Sequence, residues 1–163
     1  MLTVLTGFMG SGKTSVGESL AGMLGCPFLD LDSLVEKAAG KRIPQIFAED
    51  GESRFRALES ETLRKTVTKY SRTDAVLALG GGTSCNLEKS LTIWLRTSPE
   101  TLLQRLQGTA ASRPLLAGHD LKTRIAELLA ERESAYEASA DIIIDTDGLT
   151  PEDIAQEIIL TAL

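Results

Sequence analysis

The sequence predicts an α/β fold, a three-layer α/β/α sandwich around a parallel sheet of about five strands. Short apolar runs, typical of strands covered on both faces, alternate along the chain with helical patterns. A glycine-rich loop separates the first apolar run from the first helical pattern. The 163 residues are 42% hydrophobic and 25% charged, an ordinary globular balance. We therefore expect one domain over residues 1–163.

Composition restricts the class of function. A net charge of −6 and a pI of about 4.9 disfavour nucleic-acid and membrane surfaces, which need a basic face. The apolar runs are too short to span a membrane, and the N-terminus enters a strand pattern without a signal-like segment, so we expect a cytoplasmic protein. We also expect a monomer. Cys26 and Cys85 are too far apart for a metal motif, and His119 receives no role.

The glycine-rich loop follows an apolar run at residues 2–6 and matches the phosphate-binding pattern G-x-x-x-x-G-K-[ST] at every position. Its glycines allow backbone N–H groups to approach an oxyanion, and the following helix directs its free N–H groups at the same place. Lysine can then reach the outer phosphates and threonine can occupy a Mg²⁺ position. The alternative is a tight strand-to-helix connection. The loop residues are Gly7, Phe8, Met9, Gly10, Ser11, Gly12, Lys13 and Thr14.

The helix after the loop ends at Gly25, and residues 27–30 predict a short second strand. Ser33, followed three residues later by a glutamate, forms a capping-box pattern, so we expect the next helix to start there. Asp30 and Asp32 would then lie at the exit of a strand and, by alternation, on the same side. In parallel sheets that edge binds ligands. The alternative is a solvated acidic turn.

A helical region is predicted from about Pro44 to about Tyr70, with a break at Gly51. Arg56 and Glu59, three residues apart, share a ridge of this helix and can hold each other's orientation. A surface ion pair of little consequence is the alternative interpretation.

The run at residues 75–79 is apolar throughout and predicts a buried strand that opens into Gly80, Gly81 and Gly82. Three glycines at this edge permit close approach of backbone to a ligand, although a flexible turn would have the same sequence. The next strand, residues 91–95, contains Trp94. The crossover between them, residues 83–90, has room for little more than one helical turn.

A helix starts at Ser98 and ends by Gln107, and the aperiodic segment after it contains Arg113. A segment of this length is often a lid, with a plain surface loop as the alternative. The helix over residues 121–139 places Arg132 on its apolar face, so the guanidinium needs an anionic partner or else reaches past its neighbours to water. A strand at residues 141–145 and a helix from Thr150 complete the chain.

Together these pieces resemble shikimate kinase over essentially the whole chain. The resemblance implies a P-loop kinase fold of the nucleoside monophosphate kinase type, with a lid at about residues 108–120, and phosphorylation of the shikimate 3-hydroxyl by ATP with Mg²⁺. The matching segments are residues 7–14, residues 28–32, Gly51-Glu52 with Phe55-Arg56 and Glu59, Gly80 to Gly82, Arg113-Pro114-Leu115-Leu116, and Arg132 four residues before Tyr136.

The resemblance also implies the role of each residue. Nucleotide contacts are expected at Gly10, Ser11, Gly12, Lys13, Thr14, Ser15, Arg105 and Arg113, with residues 147–151 against adenine. Thr14 and Asp30 would serve Mg²⁺. Shikimate would contact Asp32, Arg56, Gly80, Gly81, Gly82 and Arg132, with Glu59 holding Arg56. Lys13, Asp32 and Arg113 would be catalytic, and whether Asp32 takes the hydroxyl proton or only orients the hydroxyl stays open.

Two features depart from the family pattern. The crossover at residues 83–90 is short, and Leu106 occupies the position where the family often has an arginine that stacks on adenine. Arg105 is adjacent, and whether it substitutes stays open. Rival interpretations are a gluconate kinase, which has no need for two carboxylate-binding arginines, and a non-catalytic nucleotide-binding module. A GTPase is disfavoured because no N-K-x-D motif occurs.

Overall fold

The computed structural model describes residues 1–85 and 87–162. Its centre is a five-stranded sheet in the order β2-β3-β1-β4-β5, and each strand pairs with its neighbour in parallel. Because the strands are parallel, the ends of β1, β2 and β3 meet at one edge of the sheet. The strands are β1 (Leu2–Thr6), β2 (Phe28–Asp30), β3 (Ala75–Ala78), β4 (Ser90–Arg96) and β5 (Ile142–Asp145).

Helices connect the strands and cover the sheet. The longest one departs from helical geometry at Gly51, which has a φ of 83° and a ψ of 166°, so the predicted break is confirmed. The helices are α1 (Lys13–Leu24), α2 (Leu31–Ala39), α3 (Ile43–Lys69), α4 (Pro99–Leu106), α5 (Leu121–Ser139) and α6 (Pro151–Ala162), with a 3₁₀ turn at Ala110–Ser112.

Two apolar clusters lie on opposite faces of the sheet, as the alternation along β1 shows. Leu5 packs in a cluster with residues of α1 and α6, such as Leu20 and Ile158. Its neighbour Val4 packs in the other cluster with residues of α2 and α3, such as Val35. Successive side chains of a strand point to opposite faces. The predicted three-layer arrangement around an all-parallel sheet is therefore confirmed.

A third apolar cluster joins α4, α5 and the segment that was predicted to be a lid. Leu116, in that segment, is only 1% exposed and packs with Leu106 of α4 and Ile125 of α5. Phe8 of the glycine-rich loop belongs to the same cluster. One side chain of the segment thus lies in the interior while its neighbours remain accessible.

The predicted start of α2 at Ser33 is wrong. The helix begins at Leu31, and the cap is Asp30, whose side chain accepts a hydrogen bond of 2.9 Å from the amide of Ser33. Asp30 and Ser33 both suit a cap, and the aspartate takes that role directly at the end of β2. Asp32 consequently lies in the first turn of a helix rather than at the exit of a strand, so the alternation argument for it fails.

Other predicted boundaries agree with the structure. Ser98 caps α4 by accepting a hydrogen bond from the Thr101 amide, and Thr150 and Asp153 exchange hydrogen bonds at the start of α6. Neither α3 nor α5, nor any other helix within the described residues, combines the length and the hydrophobicity that a bilayer crossing requires.

Candidate active site

The glycine-rich loop connects β1 to α1. Gly7, Gly10 and Gly12 all have positive φ, and Gly12 caps α1 without a side-chain hydrogen bond. The first N–H groups of α1 therefore keep their capacity to bind an anion. Ser11 Oγ is buried and has no hydrogen-bond partner among the residues that the structure describes. The loop accordingly offers unpaired polar groups where a phosphate oxygen would find them.

Lys13 directs its ammonium into this loop. Its Nζ donates to the carbonyl oxygens of Gly7 at 2.7 Å and Phe8 at 2.9 Å. Although the side chain as a whole is half-buried, its ammonium is desolvated. Burial lowers the pKa of Lys13 to about 8, against the attraction of Asp32. An incoming polyphosphate would favour the charged ammonium and give it stronger partners than two carbonyls.

Thr14 and Asp30 form an oxygen pair beside the loop. Thr14 Oγ1 donates to Asp30 Oδ2 at 3.2 Å, while Asp30 Oδ1 holds the Ser33 amide. A hydroxyl and a carboxylate are the hard ligands that Mg²⁺ takes, usually with several waters and substrate phosphates. No group of three or more His, Cys, Asp or Glu that could hold a metal occurs within the described part of the chain. The pair fits a magnesium ion that is shared with a nucleotide.

Asp32 lies between the glycine-rich loop and the glycine triplet, which is formed by Gly80, Gly81 and Gly82. Burial, followed by repulsion from Asp30, raises the pKa of Asp32 to about 6, with smaller contributions from Glu59 and Glu36 that are opposed by Lys13. A Cβ on Gly80 would lie 2.9 Å from Asp32 Oδ1 and 2.7 Å from Glu59 Oε1. Both carboxylates therefore converge on backbone that has no room for a side chain.

Arg56 and Glu59 are not a surface ion pair. Arg56 Nη1 donates to Glu59 Oε2 at 2.9 Å, and Glu59 is only 4% exposed. The guanidinium also lies against the triplet, because a Cβ on Gly82 would meet Arg56 Nη2 at 2.6 Å. Arg56 itself stays half-buried and faces a cavity. A charge held in this way is available to an anionic ligand.

Arg132 projects from α5 to the glycine triplet instead of reaching to water. Its Nη1 donates to the Gly81 carbonyl oxygen at 2.9 Å, and its guanidinium lies 5.6 Å from the centre of the Phe8 ring. Gly81 lines the cavity that Arg56 faces, so Arg132 contacts the wall of that cavity. Arg132 itself is not among the described residues that line it. The other eight predicted arginine and glycine positions of the two sites do line cavities.

Two cavities adjoin at Gly81. A Cβ on Gly81 would lie 2.8 Å from the amide nitrogen of Met9, so the triplet packs closely against the backbone of the glycine-rich loop and leaves no room for a side chain. The first cavity, of about 440 Å³, contains residues 10–15 together with Asp30, Asp32 and Arg105. The second, of about 350 Å³, contains Asp32, Arg56, Glu59 and the three glycines. Four residues line both cavities: Met9, Asp32, Gly81 and Arg113.

Arg105 and the turn before α6 complete the first cavity. Arg105 Nη1 donates to the Gly10 carbonyl oxygen at 3.1 Å, whereas Leu106 is buried beneath the loop. Leu149 and Pro151, from the segment expected against adenine, line the same cavity together with Ile154. The predicted nucleotide residues are thus brought together around one opening.

Some residues of the site escaped the sequence analysis. The second cavity is also lined by Glu36 and Arg42, whose side chains approach within 3.0 Å, and by Ile43, Pro44 and Phe47 at the start of α3. In the sequence the apolar members resemble core residues. Only their position after the turn between α2 and α3 could have indicated a cavity. Tyr136 was recognised as part of a motif, but its hydroxyl contact with the Gly81 carbonyl oxygen leaves no trace in local spacing.

Comparison with known proteins gives one consistent result. A family model described as shikimate kinase matches residues 9–162. The shikimate kinase of Thermodesulfovibrio yellowstonii is 46% identical over 96% of this chain and 91% of its own length, and that of Moorella thermoacetica is 46% identical over 95% and 90%. A structure described as shikimate kinase from Acinetobacter baumannii in complex with shikimate has a TM-score of 0.89, 35% identity, and coverage of 97% and 90%. The chain therefore belongs to the shikimate kinase family.

Proposed function

We propose that this chain transfers the γ-phosphoryl group of ATP to the 3-hydroxyl of shikimate, giving shikimate 3-phosphate and ADP, a step of chorismate and aromatic amino acid biosynthesis. The observation that carries the proposal is the pair of adjoining cavities. One is lined by the glycine-rich loop and the other by Arg56, which Glu59 holds, and Asp32 and Arg113 line both. Family membership supports the same assignment.

The first cavity receives the nucleotide. Residues 10–15 surround the phosphates, with N–H groups from the loop and the charge of Lys13. Arg105 lies at the mouth, held by the Gly10 carbonyl, and Leu149 and Pro151 offer an apolar surface for adenine. Arg105 thereby makes the adenine contact, because Leu106, at the position where the family often has an arginine, is buried in the core.

Thr14 and Asp30 would hold Mg²⁺, the Asp30 contact being made through water. When bound, the ion neutralises charge on the β- and γ-phosphate oxygens. The hydroxyl and carboxylate already lie 3.2 Å apart, which supports a shared ligand position.

The second cavity receives shikimate. Arg56 and Arg132, drawn from α3 and α5, bind the carboxylate, since planar guanidinium groups suit a carboxylate. Glu59 fixes the orientation of Arg56. Gly80, Gly81 and Gly82 present backbone to the ring because no side chain occupies that space. Three arginines from separate segments give this acidic protein, with a net charge of −6, a local basic pocket.

Asp32 orients the attacked hydroxyl and accepts its proton. With a pKa of about 6 the carboxylate is mostly ionised at neutral pH and close enough to that pH to serve as a base. As the new O–P bond forms at the 3-oxygen, its proton passes to Asp32, and the bond from the γ-phosphorus to the bridging oxygen breaks with its electrons leaving on ADP. Lys13 and Arg113 stabilise the charge on the transferring oxygens.

Residues 108–120 serve as the lid, which brings Arg113 to both ligands and excludes water during transfer. Leu116 is buried, and Ala110 and Leu115 pack against the same apolar cluster, so the segment is anchored to α4 and α5. The chain acts as one domain over residues 1–163, as a monomer in the cytoplasm, with ATP and shikimate as its ligands and no nucleic-acid or membrane partner. The net charge of −6 supports the last point.

A coupled assay of ADP release tests this function. Wild-type protein with ATP and Mg²⁺ is supplied with shikimate, gluconate, other polyols and sugar acids, and nucleoside monophosphates, one at a time. We expect release to depend on shikimate. Turnover with gluconate but not with shikimate would replace the assignment with a gluconate kinase, and nucleotide binding without any acceptor-dependent turnover would leave a binding module.

A further inference from the structure

Glu59 is held by two donors that come from different parts of the chain. One carboxylate oxygen, Oε2, accepts from Arg56 Nη1 at 2.9 Å, and the other, Oε1, accepts from Thr83 Oγ1 at 2.5 Å. Glu59 is 4% exposed, so few other donors can replace either partner. A hydroxyl that donates to a carboxylate makes a charge-assisted bond, stronger than a bond between neutral groups. Thr83 therefore fixes the oxygen that Arg56 does not hold.

Thr83 is itself fixed by its backbone. Its amide donates to the Gly80 carbonyl oxygen at 3.0 Å and closes a turn over the glycine triplet. Its carbonyl oxygen accepts from Thr6 Oγ1, at the end of β1, at 3.3 Å. Thr6 is fully buried in the central strand of the sheet. Hydrogen bonds at both the amide and the carbonyl oxygen of Thr83 thus position its hydroxyl.

The hydroxyl also stands where two carboxylates converge. A Cβ on Gly80 would lie 2.7 Å from Glu59 Oε1, 2.9 Å from Asp32 Oδ1 and 3.4 Å from Thr83 Oγ1. Without a donor on Oε1, repulsion from Asp32 would turn the Glu59 carboxylate away and carry Arg56 with it. The donor holds Glu59 in place without adding a positive charge that would compete for the substrate.

We infer that Thr83 is a positioning residue for the substrate carboxylate, acting through Glu59 on Arg56. This inference rests on the function proposed above. Thr83 is not among the described residues that line the second cavity, whereas Glu59, Arg56 and the three glycines are. The effect of its hydroxyl on substrate must therefore pass through the Glu59 carboxylate.

The test compares Thr83→Val, which removes the hydroxyl at nearly constant shape, with Thr83→Ser, which keeps it. We expect Thr83→Val to raise KM for shikimate about tenfold, the loss typical of one hydrogen bond to a charged group, with kcat and KM for ATP little changed. Thr83→Ser should stay close to wild type. The matched control is Thr66→Val on α3, where the lost hydroxyl donates, among the described residues, to the Thr62 carbonyl oxygen.

A double mutant separates action through Glu59 from any other effect. In a Glu59→Ala background, Thr83→Val should cause no further rise in KM for shikimate. A full further loss there, or an unchanged KM in Thr83→Val alone, would overturn the inference. If Thr83→Val does not fold, Thr83→Ala supplies the same comparison, and unfolding of both would also overturn the inference by assigning Thr83 to the fold.

The two proposals fail in different ways. Absence of shikimate turnover by the wild-type protein contradicts the proposed function before any variant is compared. Wild-type turnover together with a Thr83→Val protein that binds shikimate normally by calorimetry removes only the role of Thr83.

Discussion

Arg132 and Tyr136, one turn apart on α5, donate hydrogen bonds to the same acceptor, the carbonyl oxygen of Gly81. Tyr136 is 1% exposed, and its ring lies 5.7 Å from that of Trp94 in β4. Burial raises the pKa of the Tyr136 hydroxyl, so it remains a neutral donor throughout the range in which enzymes work. Helix α5 thus holds Gly81, the middle residue of the glycine triplet, and presents the Arg132 guanidinium beside it.

Tyr136→Phe should lower the free energy of unfolding by about 1 kcal/mol, because a buried hydrogen bond is lost while Gly81 keeps its bond from Arg132. We also expect a rise of a few-fold in KM for shikimate and none in KM for ATP, measured by the coupled assay. Tyr70→Phe, at the residue that follows α3 and caps it, is the control. A variant that loses stability without any change in KM would limit Tyr136 to a packing role.

Arg132→Ala should reduce kcat/KM for shikimate by about 10- to 100-fold, since it removes the charged hydrogen-bond donor that we propose for the substrate carboxylate. ATP affinity should stay nearly intact, as measured by calorimetry with the nucleotide alone. Lys122→Ala removes an exposed cation from the same helix and should change neither quantity. Equal losses in the use of both substrates would contradict the assignment.

Asp32→Asn should inactivate the enzyme yet stabilise the fold. The folded protein holds the pKa of Asp32 at about 6, above its ordinary value of 3.8, so the favourable contribution of this carboxyl is complete below about pH 4 and is lost as pH rises through about 6. Asparagine avoids that loss, which is worth about 3 kcal/mol at neutral pH. Urea unfolding at a series of pH values checks this, and a gain that persists undiminished at about pH 4 would contradict it.

Thr92→Val should raise stability by up to about 1 kcal/mol. Thr92 is 1% exposed in the middle of β4, and its Oγ1 has no hydrogen-bond partner within residues 1–85 and 87–162. Valine keeps the shape and removes an unsatisfied polar group. Thr97→Val is the matched contrast, because Thr97 Oγ1 lies 2.6 Å from Thr146 Oγ1 and the change should destabilise. Thermal unfolding of both variants distinguishes them, and a lower Tm for Thr92→Val would contradict the prediction.

Most elements of the fold could be predicted from the sequence because their signals are local. Apolar runs marked the strands, and Ser98 and Thr150 marked helix starts that the structure confirms. The helix start predicted at Ser33 was wrong because Asp30, three residues earlier, is an equally good cap and accepts the hydrogen bond from the Ser33 amide. The order of the strands lay beyond such signals, since it depends on which strands meet in space.

The part of the site that one motif carries, the glycine-rich loop, could be predicted from the sequence. The roles of the other site residues were uncertain because they depend on which side chains are buried. Arg56 and Glu59 have the spacing of a common surface ion pair, and only the burial of Glu59 beneath Thr83 distinguishes them from one. Arg132 and Tyr136 meet a carbonyl more than 50 residues away, at separations of 51 and 55. Helical spacing placed both side chains on one face but could not name their acceptor.

Gly81 and Met9 pack closely and line both cavities, so they form part of the partition between them. A ligand designed to join a polyphosphate to a carboxylated ring would need only a short bridge past Gly81 to occupy both compartments. Even a methyl group added at residue 81 would push the partition against the glycine-rich loop and disturb the binding site of such a ligand in both cavities.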